Sequence, residues 1–207
     1  MPCKGESSMR RKQFEVMDGK LIEEVLHSAE IGYLAFHGPD GWPRITPLNF
    51  VYNGRILWHG AVAGERFDCL QKNPRATFTA VSIYRYIPSH FTSEENATGA
   101  SMAFKSVQLR GRCVCLVDPE EKCAILNQLM DKYQPEGRFQ RVSPDTPLYK
   151  KILQATGVYA LQAEEVVGKF KLAQNKNEAD RGKIIARLKE SGSAIDLLMA
   201  AEIAKTL

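Results

Sequence analysis

The sequence predicts a mainly β protein, built as a small antiparallel barrel of about six strands with helices at its edges. Short runs in which apolar and polar residues alternate indicate strands that are buried on one face. Turn signals such as Gly38-Pro39-Asp40-Gly41 and Asn53-Gly54 separate these runs, and Asn-Gly is a preferred hairpin turn. Capped amphipathic segments between the runs predict the helices. The 207 residues suit one domain of ordinary size.

Each element has its own local signal. The strands are expected, in order, at residues 31–37, 42–51, 55–60, 75–83, 104–117, 157–164 and 166–172. The helices are expected to begin at Asp18, Gly64 and Asp118, with a short helix after residue 147 and a last helical segment over residues 177–207. Asp18 and Asp118 are expected as caps, because an aspartate accepts hydrogen bonds from the first free amides of a helix. Tyr52-Asn53-Gly54 should join the second and third strands as a hairpin, and Ser191-Gly192 should interrupt the last helical segment.

Charge and hydropathy narrow the function classes. The net charge of +4 is mild and the basic residues are scattered among acids, which argues against a nucleic-acid-binding protein. No apolar run approaches the roughly 18–20 residues that span a bilayer. The polar, basic N-terminus lacks the apolar core of a signal peptide. We therefore expect a cytoplasmic protein without a membrane partner.

The five cysteines, at positions 3, 69, 113, 115 and 123, are expected to be free, mostly buried thiols. Cys113 and Cys115 alternate within a strand, so their side chains should share one face. No second Cys or His pair accompanies them, so a zinc site is the weaker alternative and no metal is expected. Free thiols fit a reducing cytoplasm.

Residues 64–66 are the first candidate for ligand binding. The free amides at a helix N-terminus, together with the helix dipole, form an anion site. Gly64 permits close approach of the backbone, and Arg66 could donate two hydrogen bonds to phosphate oxygens. The alternative is that Gly64 is an ordinary turn residue and Arg66 a solvated helix residue.

The run Arg44-Ile45-Thr46-Pro47-Leu48-Asn49 is the second candidate, because a proline within a strand belongs at a sheet edge or a bulge. An edge leaves amides and carbonyls free to meet the polar rim of a heteroaromatic ring, and Thr46 and Asn49 could add hydrogen bonds. The alternative is an edge strand blunted against aggregation. Trp58 and His59 are neighbours in the next strand, so they point to opposite faces. His59 would then face a ligand cleft or be an ordinary packed or solvated residue.

A series of motifs follows a fixed order and spacing along residues 9–172. They are Met9-Arg10-Arg11-Lys12, Gly32-Tyr33-Leu34-Ala35, Gly38-Pro39-Asp40-Gly41-Trp42-Pro43, Pro47-Leu48-Asn49-Phe50-Val51-Tyr52, Trp58-His59-Gly60-Ala61, Gly64-Glu65-Arg66-Phe67-Asp68, Phe104-Lys105-Ser106-Val107, Gly111 and Val117-Asp118-Pro119-Glu120-Glu121-Lys122. Together these motifs resemble the pyridoxamine 5'-phosphate oxidase-like flavoproteins, and most of all their nitroimidazole-resistance (Nim-like) branch.

The resemblance implies a six-stranded antiparallel split β-barrel of Greek-key topology that binds FMN and forms a homodimer with the flavin at the subunit interface. We divide the chain into an N-terminal arm (1–17), an FMN-binding split-barrel domain (18–172) and a C-terminal helical extension (173–207). Arg66 would hold the phosphate, and Lys105 and Ser106 would reach the flavin from the partner subunit. The implied cofactor-binding residues are Arg44, Ile45, Thr46, Pro47, Leu48, Asn49, Trp58, His59, Gly60, Gly64, Arg66, Lys105, Ser106, Lys169, Lys171 and Gln174, with His59 also catalytic.

The sequence departs from the family pattern in two places. Many relatives have lysine where this chain has Arg66, but arginine keeps the charge and adds a second donor. Pyridoxamine phosphate oxidases proper use a C-terminal tryptophan and arginine, whereas no tryptophan follows Trp58 here, which argues against oxidation of pyridoxamine phosphate. The C-terminal strand is more similar to FMN-binding PaiB-type proteins, and Lys169, Lys171 and Gln174 would there contact flavin or substrate or belong to a solvated edge.

The leading hypothesis is an FMN-dependent oxidoreductase that passes electrons to a small organic acceptor, such as a nitro compound or a quinone-like molecule. His59 would donate a proton or orient the substrate, since an ordinary histidine pKa suits proton transfer near neutral pH. The alternatives are a flavin-binding sensor or storage protein without turnover, and a heme-binding split barrel with His59 or His90 as the ligand. No helix-turn-helix pattern is present, so direct nucleic-acid binding is not expected.

Overall fold

The fold is mainly β with helices at its edges, as predicted, in a computed structural model that describes residues 9–207. Cys3 and the first half of the predicted arm lie outside the described residues. The strands are β1 (Glu15–Val16), β2 (Gly32–His37), β3 (Pro43–Leu48), β4 (Val51–Tyr52), β5 (Ile56–Ala61), β6 (Arg75–Ile87), β7 (Ser101–Leu116) and β8 (Thr156–Lys171). The helices are α1 (Gly19–Ser28), α2 (Glu65–Lys72), α3 (Pro119–Tyr133), α4 (Pro147–Ala155), α5 (Glu178–Ser191) and α6 (Ala194–Ala204).

The strands form one sheet in the order β3-β2-β6-β7-β8-β5-β4, with β1 paired to β8. The sheet therefore has eight strands rather than about six, because β1 and β4 are two-residue strands too short for an alternation pattern to show. Within the described residues the path does not return from β4 to β3, so the expected closed barrel is not confirmed. β3 stands at one end of the order, which confirms the prediction that Pro47 lies on an edge strand.

The predicted strand over residues 42–51 is two strands, and the predicted hairpin is correspondingly smaller. β3 pairs with β2, whereas only β4 pairs with β5 across the Asn53-Gly54 turn. The break comes at Phe50, whose N–H donates to the Tyr133 hydroxyl (2.9 Å) and whose carbonyl accepts from Tyr133 (3.0 Å) and Lys132 (3.1 Å). Side chains of α3 thus take the backbone groups that a continuous ladder would use.

The two predicted C-terminal strands are one continuous strand, β8. The predicted break between residues 164 and 166 is therefore absent. Instead Glu164 pairs with Arg112 (2.9 Å) and Glu165 with Arg110, both on the neighbouring strand β7. Charge pairing across adjacent strands keeps these exposed residues within the ladder.

The helix boundaries follow the predicted capping signals. Asp18 accepts from Lys20 N at 2.8 Å, and Asp118 accepts from Glu121 N at 2.7 Å. Gly192 ends α5 with φ of 68°, a left-handed conformation that glycine adopts at little cost. The predicted break between the last two helices is confirmed. Among the described residues, no helix is both long enough and apolar enough to cross a membrane.

The described chain divides into two compact units. Unit 1 comprises Glu30–Ala80 and Gln108–Val166; its core includes the fully buried Trp58, Phe50 and Phe78. Unit 2 comprises residues 9–29, Val81–Val107 and Val167–Leu207; its core is built from Leu26 and from side chains of α5 and α6. The division into arm, barrel domain and helical extension stays a prediction.

Candidate functional site

The end of β5 is where the structure gathers most of the predicted site. Trp58 is fully buried and stacks on Tyr159 of β8, with ring centroids 5.7 Å apart and an interplanar angle of 16°. His59 is exposed on the opposite face of the strand. The prediction that these neighbours face opposite ways is confirmed. A ligand at this surface would meet His59, whereas Trp58 belongs to the core of unit 1.

Two glycines lie directly opposite each other next to His59. Gly60 of β5 is the register partner of Gly157 of β8. A Cβ atom placed on Gly60 would lie only 2.1 Å from Nη2 of Arg66, and one on Gly157 would lie 2.5 Å from the Tyr159 hydroxyl. Gly60 of β5 therefore leaves room for the guanidinium of Arg66, and Gly157 of β8 leaves room for the ring of Tyr159. The Tyr159 hydroxyl donates to the Ala61 carbonyl (2.7 Å).

Helix α2 begins without a side-chain cap. Its N-cap residue is Gly64, with φ of 101°, a conformation that favours glycine over any other residue. The free amides of the first turn therefore remain available to an acceptor. Arg66 occupies that first turn, where its positive charge opposes the helix dipole. Among residues 9–207 its guanidinium forms no hydrogen bond and no ion pair.

Burial is the largest cause of the pKa shifts in this region, and the charge of Arg66 contributes to each of them. Although His59 is an exposed residue, its imidazole is partly desolvated, and this desolvation, followed by the charge of Arg66, lowers the pKa of His59 below its ordinary value. His59 is therefore mostly neutral at neutral pH, although it was expected to titrate near its unperturbed pKa. Burial raises the pKa of Cys113 to about 12 against the opposing effect of Arg66, which makes this thiol chemically quiet. Burial, followed by Cys115, raises the pKa of Tyr159.

Arg44 ties the β2–β3 turn to α2. Its Nη2 lies 3.0 Å from Asp40 and its Nε lies 3.1 Å from Glu65. The hydrogen bond to Asp40 raises the pKa of Arg44 and lowers that of Asp40. In the structure Arg44 braces the first turn of α2, and this pairing occupies the guanidinium that was expected to meet the flavin.

The rest of the predicted edge run presents a mixed surface. Ile45 is 68% exposed and Asn49 is exposed, whereas Leu48 is buried. Thr46 and Pro47 face β2 across the ladder, opposite Leu34 and Tyr33. An exposed isoleucine between backbone groups of an edge strand can contact an apolar ring.

A separate cavity of about 520 Å³ lies along the other side of α2. It is lined by His37, Glu65, Asp68, Cys69 and Lys72, among others. Two carboxylates make this cavity a poor place for a phosphate. Arg66 and Gly60 are not among its lining residues, which places the cavity apart from the Arg66 surface.

The remaining predicted residues belong to unit 2. Lys105 is only 7% exposed and pairs with Glu202 (2.9 Å), with its ammonium 4.8 Å from the centre of the Phe170 ring. Ser106 donates weakly to the Lys169 carbonyl (3.4 Å), and Lys171 donates to Ser101. Gln174 accepts from Leu172 N (2.6 Å) and donates to the Phe170 carbonyl (2.8 Å). Lys105 and Gln174 are thus engaged within the chain.

Sequence reasoning did not find Tyr159 or Gly157. Their importance comes from a register that joins residues about a hundred positions apart, and no local pattern marks it. The buried free thiols were found: Cys69, Cys113 and Cys123 are buried and Cys115 is half-buried, all without disulfides.

Comparisons with known proteins agree on the fold. The sequence profile of the pyridoxamine 5'-phosphate oxidase family matches residues 18–170. A search of curated proteins finds no match. Solved structures with a similar fold include a flavocytochrome, Anf3, from Azotobacter vinelandii (24% identity, TM-score 0.67, covering 84% of this chain and 77% of that one). They also include an FAD and heme binding protein from Mycobacterium smegmatis (18%, 0.62, 76% and 73%) and a protein from Bacteroides thetaiotaomicron proposed to confer 5-nitroimidazole antibiotic resistance (22%, 0.61, 75% and 85%).

Proposed function

We propose a function from one established premise: the chain belongs to the pyridoxamine 5'-phosphate oxidase family. The proposal is an FMN-dependent oxidoreductase that acts on a small organic acceptor, nitroreductase-like or related to pyridoxamine phosphate oxidases, and that works as a cytoplasmic homodimer with the flavin at the subunit interface. Bound FMN would accept and pass on electrons, while the protein would supply binding, orientation and exclusion of water. The names of the similar structures, which include a flavocytochrome and an FAD-binding protein, support a flavin.

The observation that carries the proposal is the unpaired Arg66 beside an uncapped helix start. Arg66 lies in the first turn of α2, where the helix dipole disfavours a positive charge, and it has no carboxylate partner among the described residues. A phosphate at this position would accept from the free amides of α2 and from the guanidinium together. Gly64 has no side chain, which lets such a ligand come close to the backbone.

The ring of the flavin would extend from this phosphate along the outer face of β5 and the edge strand β3. His59 is the exposed polar side chain on β5, and Ile45 is the exposed apolar side chain on β3. Because its pKa is lowered, His59 would act mainly as a neutral hydrogen-bonding group that orients flavin or acceptor. It would protonate an acceptor only as the pH falls towards its pKa.

The test compares FMN with riboflavin, which lacks the phosphate. We expect purified protein to show a flavin absorption spectrum and to bind FMN more tightly than riboflavin. Arg66→Gln should lower FMN affinity by about 10–100-fold, the range of a charge-assisted hydrogen bond, and leave riboflavin affinity unchanged. Arg75→Gln is the matched control, because Arg75 is an exposed arginine in the same unit. A protein that stays colourless after FMN is added and excess FMN is removed would contradict the proposal.

Turnover is a separate question. Steady consumption of NAD(P)H in the presence of a nitro or quinone acceptor would support the oxidoreductase. A single stoichiometric reduction with nothing further would support a flavin-binding sensor or storage protein.

Heme is the second candidate cofactor. Two of the similar structures are a flavocytochrome and an FAD and heme binding protein. His59 is exposed and mostly neutral, which is the form of imidazole that ligates a metal. A Soret band that His59→Ala removes would support heme binding; a spectrum of flavin alone would exclude it.

A further inference from the structure

Helix α6 is apolar on two opposite faces. Its inner face packs within unit 2, where Met199, Ala200 and Ile203 are fully buried. Its outer face carries Leu197 and Leu198, which are 46% and 59% exposed. The outer face of a surface helix is ordinarily polar or charged, and a helix that is apolar all round is ordinarily buried. The outer face of α6 therefore has the composition of a contact surface.

The proposed flavin site does not account for this surface. The match to the family profile ends at residue 170, whereas α6 begins at Ala194. The candidate phosphate residue Arg66 and the candidate catalytic residue His59 belong to unit 1, and α6 belongs to unit 2. A separate role for the outer face has to be sought in its own residues.

The spacing of the outer apolar residues is that of a helix which pairs with another helix. The residues recur at intervals of three, four and three positions, as the core positions of a coiled coil do. They are all exposed, and we call them the α6 seam: Ala194, Leu197, Ala201 and Ala204. The three alanines lack bulk, so a second helix axis can come within about 8 Å. The occupant that fits the seam is therefore another helix.

The charges of α6 narrow the choice of occupant. Over residues 194–205 the charged residues are the buried Asp196 and the pair Glu202 and Lys205, whose side chains are 2.6 Å apart. A helix that lies on a membrane surface presents several lysines or arginines beside its apolar face, and α6 presents one that is already paired. The seam has no free charge to attract a charged partner. A neutral apolar helix is the complement that remains.

A second copy of α6, running antiparallel, has the required shape. In this arrangement Leu197 lies against Ala201 of the second copy, and Ala194 lies against Ala204 of the second copy. Each large side chain meets a small one, so the two seams can pack closely. The same residues serve both copies, which closes the pair and leaves neither seam exposed.

The charges also favour the antiparallel orientation over the parallel one. Parallel helices would place the two Lys205 ammonium groups side by side and align the two helix dipoles. Antiparallel helices separate the two lysines by about twelve residues, or about 18 Å of helix. The two dipoles then oppose each other, which is the more stable arrangement.

We propose that the α6 seam is a contact surface through which two copies of this chain associate, antiparallel and independently of the subunit interface in the proposed function. A seam of three helical turns is smaller than a standard interface, in which each partner buries roughly 800 Å². The association is therefore reversible, and it strengthens as the protein concentration rises.

Sedimentation velocity at high protein concentration tests the proposal. Leu197→Glu places a carboxylate in the seam and should halve the mass of the assembly, whatever number of copies the flavin interface holds together. Met17→Glu is the matched control, because Met17 is a 53% exposed apolar residue of the same unit, and it should leave the mass unchanged. Circular dichroism checks that each variant is folded. The affinity for FMN should be the same in both variants as in the wild type, so a failure of the flavin proposal is seen separately.

Mixing two variants tests the pairing itself. Ala201→Lys alone should also halve the mass, because it places an ammonium against Leu197 of the second copy. An equal mixture of Leu197→Glu and Ala201→Lys should restore the doubled mass, because the new carboxylate of one chain meets the new ammonium of the other. An unchanged mass in Leu197→Glu, an equal loss in Met17→Glu, or no recovery in the mixture overturns the proposal. A wild-type protein that sediments as a single chain at every concentration overturns it as well, including the case in which the seam binds a different protein.

Discussion

Gly60→Ala should disable the proposed phosphate site without unfolding the protein. The new methyl group would lie 2.1 Å from Nη2 of Arg66, whereas ordinary contact is roughly 3.5 Å. The guanidinium must then move by at least about 1 Å. The guanidinium is the end of a flexible side chain and has no partner among residues 9–207, so moving it costs the fold little. A charge-assisted hydrogen bond is worth about 1.5–3 kcal/mol, so a displaced guanidinium should weaken FMN binding about 10–100-fold.

Quenching of flavin fluorescence on binding measures this affinity directly. The affinity for riboflavin, which lacks the phosphate, should be the same in Gly60→Ala as in the wild type. Gly182→Ala is the matched control, because a Cβ there meets no atom within 4 Å. In an Arg66→Gln background, Gly60→Ala should have no further effect on FMN affinity, since the two changes act through one group. Equal losses for FMN and riboflavin, or full additivity with Arg66→Gln, would refute the reasoning.

Two further predictions concern the fold of unit 2. Arg85→Ala should lower the free energy of unfolding in urea by about 2 kcal/mol, because it leaves the buried Asp196 without the cation that lies 3.1 Å from its carboxylate. The control variant Arg75→Ala, at an exposed arginine, should lower it by less than about 0.5 kcal/mol. Burial opposes ionisation of Asp196, but hydrogen bonds from Ser191 and Ser193 and the charge of Arg85 outweigh it and lower its pKa. Its contribution to stability is therefore complete above the unfolded pKa of about 3.9 and is lost as the pH falls through the lower folded value. Thermal unfolding from pH 6 to pH 3 should show a smaller loss of stability for Asp196→Asn than for the wild type, whereas equal slopes would contradict the assignment.

Features that depend on neighbouring residues could be predicted from the sequence. The caps at Asp18 and Asp118, the glycine start of α2 and the edge position of Pro47 each follow from a few adjacent residues. Propensity, capping and turn chemistry act over one or two turns of chain, so their signals survive without tertiary information.

Features that depend on distant residues could not be predicted. The break at Phe50 is imposed by Tyr133 and Lys132, more than eighty positions away. Lys105 was expected at a flavin, yet Glu202 pairs with it across a comparable separation in sequence. A local sequence pattern indicates which hydrogen-bonding and charged groups a segment has, whereas tertiary packing determines which partners those groups bind.

The proposed phosphate site lies where the chain is less stable than it could be. Arg66 opposes a helix dipole, although the same helix has acidic residues in its first turn that favour it. A fold selected only for stability would pair or remove this cation. Because natural sequences are otherwise locally consistent, such an exception supports the proposal that Arg66 contacts a ligand. Arg66→Gln should therefore leave the free energy of unfolding, measured in urea, equal to or higher than that of the wild type while weakening FMN binding.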